Sequence, residues 1–230
     1  VTESDRRDLE QELRNVVGGE VRFDRLTRRI YSTDASIYSI EPIGVVSPRS
    51  ADDVVATVDV ARRCGVPVLP RGAGTSLAGQ TVGHAIVLDF SRYMHTLVAI
   101  DADTRTARAE PGVVQDDLNA AAGRHGLMFA PDTSTANRAT LGGMIGNNSC
   151  GSRSARYGMT IDHVASLDVV LSDGSRATLG ATSPDESARR ARGDSLEARL
   201  YREVSVLAER RAHAIRTGFP PYWRKSGGYR

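Results

Sequence analysis

Pro70-Arg71-Gly72-Ala73-Gly74-Thr75-Ser76 is the stretch whose residue types could do chemistry most directly. Gly72 and Gly74 permit backbone dihedrals and close approaches that a side chain would forbid. Successive N–H groups in such a turn can form a nest for a phosphate. Thr75 and Ser76 add hydroxyl donors, and Arg71 adds positive charge. A diphosphate-bearing molecule suits that set. A strand-to-helix turn with no ligand would use the same residues, so the stretch by itself leaves both readings open.

A second stretch, residues 130–158, adds weight. It shows almost no helix or strand periodicity, yet carries Gly142, Gly143, Gly146, Gly151 and Gly158. Long irregular loops inside compact domains are uncommon and tend to be functional or disordered. The low charge and the presence of Leu141, Met144 and Ile145 speak against disorder. The expectation is a chain threaded against a flat ligand, with Gly142, Gly143, Gly146 and Gly151 where side chains would collide. Thr140, Asn147, Asn148 and Ser149 would supply hydrogen bonds.

Other chemistries find no support. No Gly-x-Ser-x-Gly surrounds Ser76 or Ser149, as a nucleophile elbow would require. His84, His95, His125, His163 and His213 form no close ligand pattern, so no metal site is expected. His125 suits a helix C-terminus, where a cation is favoured. The glycine turn lacks the lysine and spacing of a Walker A loop. It also lacks the third glycine of the usual dinucleotide fingerprint.

The elements that must position these residues are legible in outline. Residues 4–17 read as a helix with Leu9, Leu13 and Val16/Val17 at helical spacing, ended by Gly18-Gly19. Residues 20–40 carry mixed signals, and Arg22, Arg25, Arg28 and Arg29 read as surface. Val45-Val46 suggests a strand. Ser50 and Asp53 form a capping-box pattern before a helix with Val54, Val55, Val58 and Ala61 on its apolar side, closed by Gly65. Val66–Leu69 is a second strand, so the order is βαβ and a parallel pair is expected. The glycine turn then lies at the carboxyl end of a strand, where open α/β sheets place their ligands. Ala85–Phe90 is a further strand.

Downstream, Leu97–Ile100 and Thr106–Ala109 predict a hairpin, Pro111-Gly112 breaks the pattern, and Val114–His125 predicts a helix. Val164–Leu171 and Ser175–Leu179 flank an Asp173-Gly174 turn, a strong hairpin signal. Ser183-Pro184-Asp185-Glu186 starts a helix expected to end near Gly193. Another runs from Ser195 to about Ala214. The last fifteen residues, with Pro220-Pro221, Trp223 and Gly227-Gly228, complete no element and read as the entrance to something further.

Bulk properties limit the partners. The 230 residues fit one large domain or two small ones, with 40% hydrophobic and 25% charged residues. A net charge of +2 gives no nucleic-acid footprint, because the pairs at Arg28-Arg29, Arg62-Arg63, Arg189-Arg190 and Arg210-Arg211 are scattered. Neither a membrane-spanning run nor a secretory signal is visible. Cys64 and Cys150 lie far apart, consistent with a reducing compartment.

The combination of Pro70–Ser76 with Pro131-Asp132, Leu141-Gly142-Gly143, Gly146–Gly151 and Tyr157-Gly158 resembles the PCMH-type FAD-binding domain of the vanillyl-alcohol oxidase superfamily. Within it, the likeness is strongest to the branch that holds the flavin-binding component of glycolate oxidase, D-lactate dehydrogenase and D-2-hydroxyglutarate dehydrogenase. The resemblance covers about residues 35–230. It implies an α+β fold whose first part is α/β-like, built from two subdomains with FAD between them. The first would be a small parallel βαβ part, and the second a larger mixed or antiparallel sheet with flanking helices. The implied layout is residues 1–34 as helix and lead-in, and 35–215 as the FAD domain. That domain divides into 35–95 and 96–215, and 216–230 begins a linker to a substrate or cap domain.

The resemblance also implies roles. Pro70, Arg71, Gly72, Ala73, Gly74, Thr75 and Ser76 would wrap the FAD diphosphate, with Arg71 beside a phosphate. Pro111 and Gly112 would approach the cofactor. Pro131, Asp132, Thr133, Thr140, Gly142, Gly143, Gly146, Asn147, Asn148, Ser149 and Gly151 would line the rest, with Tyr157, Gly158 and Ile161 completing the wall. Thr75 stands where covalent relatives carry a histidine, so the FAD is expected to be noncovalent. Cys150 reads as a small packed residue. The implied reaction is hydride transfer from the α-carbon of a D-2-hydroxy acid (lactate, glycolate or 2-hydroxyglutarate type) to flavin N5. A sugar-acid or alcohol oxidase of the same superfamily, or a nucleotide-binding module without redox chemistry, stays open as an alternative. Catalytic residues would lie on the absent domain, and none is assigned in this chain. The electron acceptor stays open between a quinone, an electron-transfer protein and a C-terminal iron–sulfur region. The expected location is the cytoplasm, with peripheral association of the full-length protein at the cytoplasmic membrane face left open.

Overall fold

A computed structural model describes residues 2–219. The chain forms two compact units, one running to His163 and one beginning at Val164. That boundary stands well downstream of the 95/96 division expected from sequence.

The first unit opens with α1, Glu3–Val16. Thr2 and Asp5 cap it reciprocally, and Leu9 and Leu13 are its buried residues. Two short elements follow in the stretch of mixed signals: β1, Glu20–Arg22, and α2, Arg25–Ile30. Three strand residues are too few to display a period, and α2 buries no residue, so neither leaves an amphipathic trace. Asp24 starts α2 by accepting from the Thr27 N–H at 2.9 Å.

β2, Gly44–Ser47, is buried at every position. α3, Ala51–Arg63, begins at Ser50, whose hydroxyl accepts from the Asp53 N–H. The expected capping box is only half formed. Asp53 accepts instead from the N–H groups of Gly18 and Arg49, both at 2.8 Å, which ties α1's exit to α3's entry. That commitment turns the helix slightly from the expected stripe. Asp53, Val54, Thr57, Val60 and Ala61 are buried, whereas Val55 and Val58 are half-buried.

β3, Val68–Arg71, carries the strand two residues further than Leu69, and β4, Ile86–Asp89, is buried throughout. The strand order is β1-β2-β4-β3. β4 pairs in parallel with both β2 and β3, and β1 pairs antiparallel with β2. The expected β2–β3 neighbours are therefore parallel but separated by β4, whose fully apolar Ile86-Val87-Leu88 takes the buried central place.

β5, Leu97–Asp101, and β6, Thr106–Ala109, form a hairpin with a register shift between Leu97 and Ala99. α4, Gln115–Gly123, buries Gln115, Leu118 and Ala122 and stops two residues before His125. The stretch expected to be irregular is partly helical. α5, Leu141–Asn147, is capped by Thr140 and closed by Asn148 in the left-handed conformation, and α6 spans Ser154–Tyr157. The surroundings of α5 explain the difference: a hydroxyl cap, an αL stop and two carbonyls from 111–113 outweigh the poor helix propensity of three glycines.

The second unit holds the hairpin of β7, Ser166–Val170, and β8, Arg176–Gly180, then α7, Pro184–Arg190, and α8, Leu196–Gly218. α8 outruns its expected end at Ala214. Arg216, Thr217 and Gly218 are thus helical, and the expectations for Pro220 to Tyr229 lie outside the described residues. The architecture is mixed α/β with a parallel βαβ region, and its remaining antiparallel strands form two separate two-stranded ladders. Among the described residues, no helix is long and apolar enough to cross a membrane.

Candidate functional site

All the sequence-derived site residues fall in the first unit. β3 delivers Arg71 at its last position, and the glycine turn departs from there. The backbone N–H groups from Gly72 to Leu77 donate to no backbone acceptor or side chain among the described residues. Gly74 has φ +69°, in the region that favours glycine, and a Cβ there would stand 2.6 Å from Arg71 Nη2. A run of unpartnered donors at a strand's carboxyl end is the chemistry of an anion cradle.

Arg71 itself is committed elsewhere. Its Nη1 donates to the Tyr31 and Thr81 carbonyls at 3.3 and 3.1 Å, and its Nη2 to the Thr33 carbonyl at 2.9 Å. The guanidinium lies 5.2 Å over the Tyr31 ring. Burial lowers its proton affinity, opposed by the nearby Tyr31, Asp34 and Asp89. The sequence suggested a phosphate neighbour; in the fold this side chain braces both ends of the turn. Gly74 adds a second tie, its carbonyl accepting from the Ala35 N–H at 3.0 Å.

Beneath the turn sits a polar network that sequence reasoning missed. The Tyr31 hydroxyl donates to Asp89 Oδ2 at 2.5 Å, and Asp89 Oδ1 accepts from the Ser91 N–H and hydroxyl. Burial, then this hydrogen bond to the carboxylate, push the Tyr31 pKa well above the usual phenol range. Asp34 accepts from the Thr81 hydroxyl at 2.9 Å and from the Ser36 N–H at 2.8 Å. Burial alone would raise the Asp34 pKa, but the bonds from Ser36 and Thr81 win and hold it below the ordinary carboxylate value. The dense polar run Ser32-Thr33-Asp34-Ala35-Ser36 was the available signal.

The turn meets α5 at two places. A Cβ on Gly72 would collide with the Thr140 hydroxyl, which is already engaged by the Gly143 N–H. The Gln80 amide nitrogen donates to Asn147 Oδ1 at 2.9 Å. Pro111 and Gly112 wedge between β4's exit and α5. Gly112 N–H donates to the Met94 carbonyl at 2.7 Å, and the Pro111 carbonyl accepts from the Gly142 N–H at 2.8 Å.

The glycines expected to face a ligand divide into two kinds. Gly142 is required by protein packing, since a Cβ would stand 2.7 Å from Pro111 Cβ. Gly151 packs equally tightly on Asp132. At Gly143 the nearest atom would be the Thr140 hydroxyl, at 3.1 Å. Gly146 has nothing within 4 Å, so packing within the chain does not explain it.

Pro131, Asp132 and Thr133 are held from two sides. Buried Gln115 donates to the Pro131 carbonyl and accepts from the Thr133 hydroxyl, and nothing in the sequence marked it. Asp132 accepts from the Arg153 N–H at 3.2 Å and pairs with its guanidinium at 3.0 Å. Asn148 is buried, with Oδ1 accepting from the Ile161 N–H at 3.0 Å. The Ser149 carbonyl accepts twice from Thr160. Tyr157, Gly158 and exposed Ile161 thus join the Asn148–Ser149 segment and make no direct contact with the glycine turn.

A family model described as FAD binding domain matches residues 42–180. A D-2-hydroxyglutarate dehydrogenase of Pseudomonas putida is 40% identical over 216 residues, which is 92% of this chain and 21% of that protein. Glycolate oxidase subunit GlcD of Bacillus subtilis is 37% identical over 173 residues, covering 73% of this chain and 36% of that protein. The chain therefore spans about a fifth of the length of the dehydrogenase relatives it matches. Among solved structures, an alkyldihydroxyacetonephosphate synthase superposes with a TM-score of 0.67 at 22% identity over 78% of this chain and 39% of that one, a likeness of fold.

Proposed function

Because this chain belongs to the FAD binding domain family, we propose that it is the noncovalent FAD-holding portion of a longer oxidoreductase acting on a D-2-hydroxy acid. The single observation that carries the cofactor's placement is the run of N–H groups from Gly72 to Leu77, around Gly74, without partners among the described residues. These donors fit the diphosphate, and the hydroxyls of Thr75 and Ser76 extend the set. Gly146, unexplained by internal packing, fits a flat ring lying against α5.

Bound FAD would supply two-electron redox chemistry that no side chain offers. The chain's own part is to hold and orient it. Arg71, through three carbonyls, fixes the turn so that its N–H groups are ordered before binding. Gln115 and Arg153 fix the 131–133 segment. Thr75 offers no imidazole for a covalent link. The groups that clamp the substrate carboxylate and take its hydroxyl proton are assigned to the remainder of the longer protein. The substrate class follows from the relatives, which are dehydrogenases of D-2-hydroxyglutarate and D-lactate and a glycolate oxidase subunit.

The test has two arms. The purified chain, titrated with FAD, is expected to show a perturbed flavin absorbance band, and acid precipitation is expected to release all of the flavin. A chain that binds ADP but leaves the flavin spectrum unchanged would overturn the cofactor assignment. Flavin retained in the acid precipitate would overturn noncovalent attachment. For substrate, the full-length protein is assayed with D-2-hydroxyglutarate, D-lactate and glycolate against an artificial acceptor; turnover of none of them sinks the class.

A further inference from the structure

Gln80 lies beyond the glycine turn and reaches the last residue of α5. Its amide nitrogen is used, donating to Asn147 Oδ1 at 2.9 Å. Its amide oxygen is buried and has no hydrogen-bond partner among the described residues. An orphaned acceptor of this kind costs about 1–3 kcal/mol, so a donor is expected to meet it in the working protein. Asn147 fixes which way the amide faces, because its own Nδ2 donates to the Ser149 hydroxyl at 3.3 Å, leaving Oδ1 to accept. Next to Asn147 stands Gly146, with no atom within 4 Å of where its Cβ would be. An oriented acceptor and an open flank on the same turn of helix suit the edge of a flat heterocycle.

We propose that Gln80 Oε1 accepts a hydrogen bond from a heterocyclic N–H of bound FAD, with Asn147 as the residue that orients it. This rests on the FAD reading above. Two parts of the cofactor carry such a donor: the flavin imide N–H and the adenine amino group. The chemistry is the same, and the two are separable by experiment.

The full chain, with its Gln80→Met and Gln80→Glu variants, is titrated calorimetrically with FAD, FMN and ADP. The 3-methyl derivative of FMN and N6,N6-dimethyl-ADP, which lack the donor, are titrated beside them. Gln80→Met is expected to weaken FAD and one of the two halves about tenfold, the size of one lost buried hydrogen bond. The other half is unaffected. Gln80→Glu keeps an acceptor oxygen and is expected to restore binding. Unmutated chain is expected to disfavour the methylated form of the same half by a similar factor, a preference that Gln80→Met removes. Sensitivity of FMN assigns the flavin imide, and sensitivity of ADP the adenine. If the unmutated chain binds FAD yet treats both methylated analogues like their parents, the proposal is overturned, and that result needs no variant to fold. If it binds none of FAD, FMN and ADP, the FAD reading falls and this one with it.

Discussion

At the scale of single residues, the turn is governed by what lies under it. Gly74→Val would place a branched side chain at φ +69° against the Arg71 guanidinium. FAD retention is expected to be lost, and unchanged flavin content in that variant would displace the cofactor from this turn. Tyr31→Phe leaves Asp89 Oδ2 without its donor in a buried site. A loss of about 1–3 kcal/mol is expected in urea denaturation at neutral pH. The pH dependence has a definite sign. The folded state raises the Tyr31 pKa, so the linked stability is complete below the unfolded tyrosine value of about 10 and is lost as pH climbs above it. Alkaline unfolding is therefore expected to be shallower in Tyr31→Phe than in the parent. Asp34 works in the opposite direction. Its depressed pKa contributes stability above the unfolded aspartate value, lost as pH falls through the folded one, and Asp34→Asn should flatten the acid limb of the same curve.

At the scale of elements, α5 separates glycines that serve the fold from one that serves the ligand. Gly142→Ala pushes a methyl into Pro111 and is expected to destabilise the apo chain by about 1–3 kcal/mol. Gly146→Ala meets nothing, and alanine is the better helix former by about 1 kcal/mol. Its apo melting temperature is expected to rise or hold while FAD affinity falls. A Gly146→Ala chain that binds FAD as the parent does would remove the ring from this face. Both residues looked alike in the sequence, because a glycine's reason lies in what stands opposite it. The helix itself escaped sequence reasoning for the same cause: Thr140 as cap was legible, but the carbonyls of Pro111 and Val113 that receive the Gly142 and Leu141 N–H groups come from another part of the chain.

At the scale of the whole molecule, the sheet explains why the turn is where it is. β4 enters between β2 and β3, so the loop after β3 must travel from the sheet's edge back to its centre. Arg71, Thr81 and Asp34 hold that loop on its way. Local signals determined a good deal. The helices at Glu3–Val16, Ala51–Arg63 and Pro184–Arg190, both hairpins and the glycine turn are each written in caps, turn residues and short-range periodicity. The motif set at 70–76, 131–132, 141–151 and 157–158 was enough for the family. What only the tertiary structure decided is every relation between distant residues. It decided that Arg71 braces carbonyls of residues 31, 33 and 81, that Asp53 caps Gly18 as well as Arg49, and that Gln80 ends beside Asn147 with its oxygen unmet. Periodicity and capping report a residue's neighbours along the chain. A guanidinium or an amide takes its role from partners tens of positions away, and those are chosen by strand order and packing.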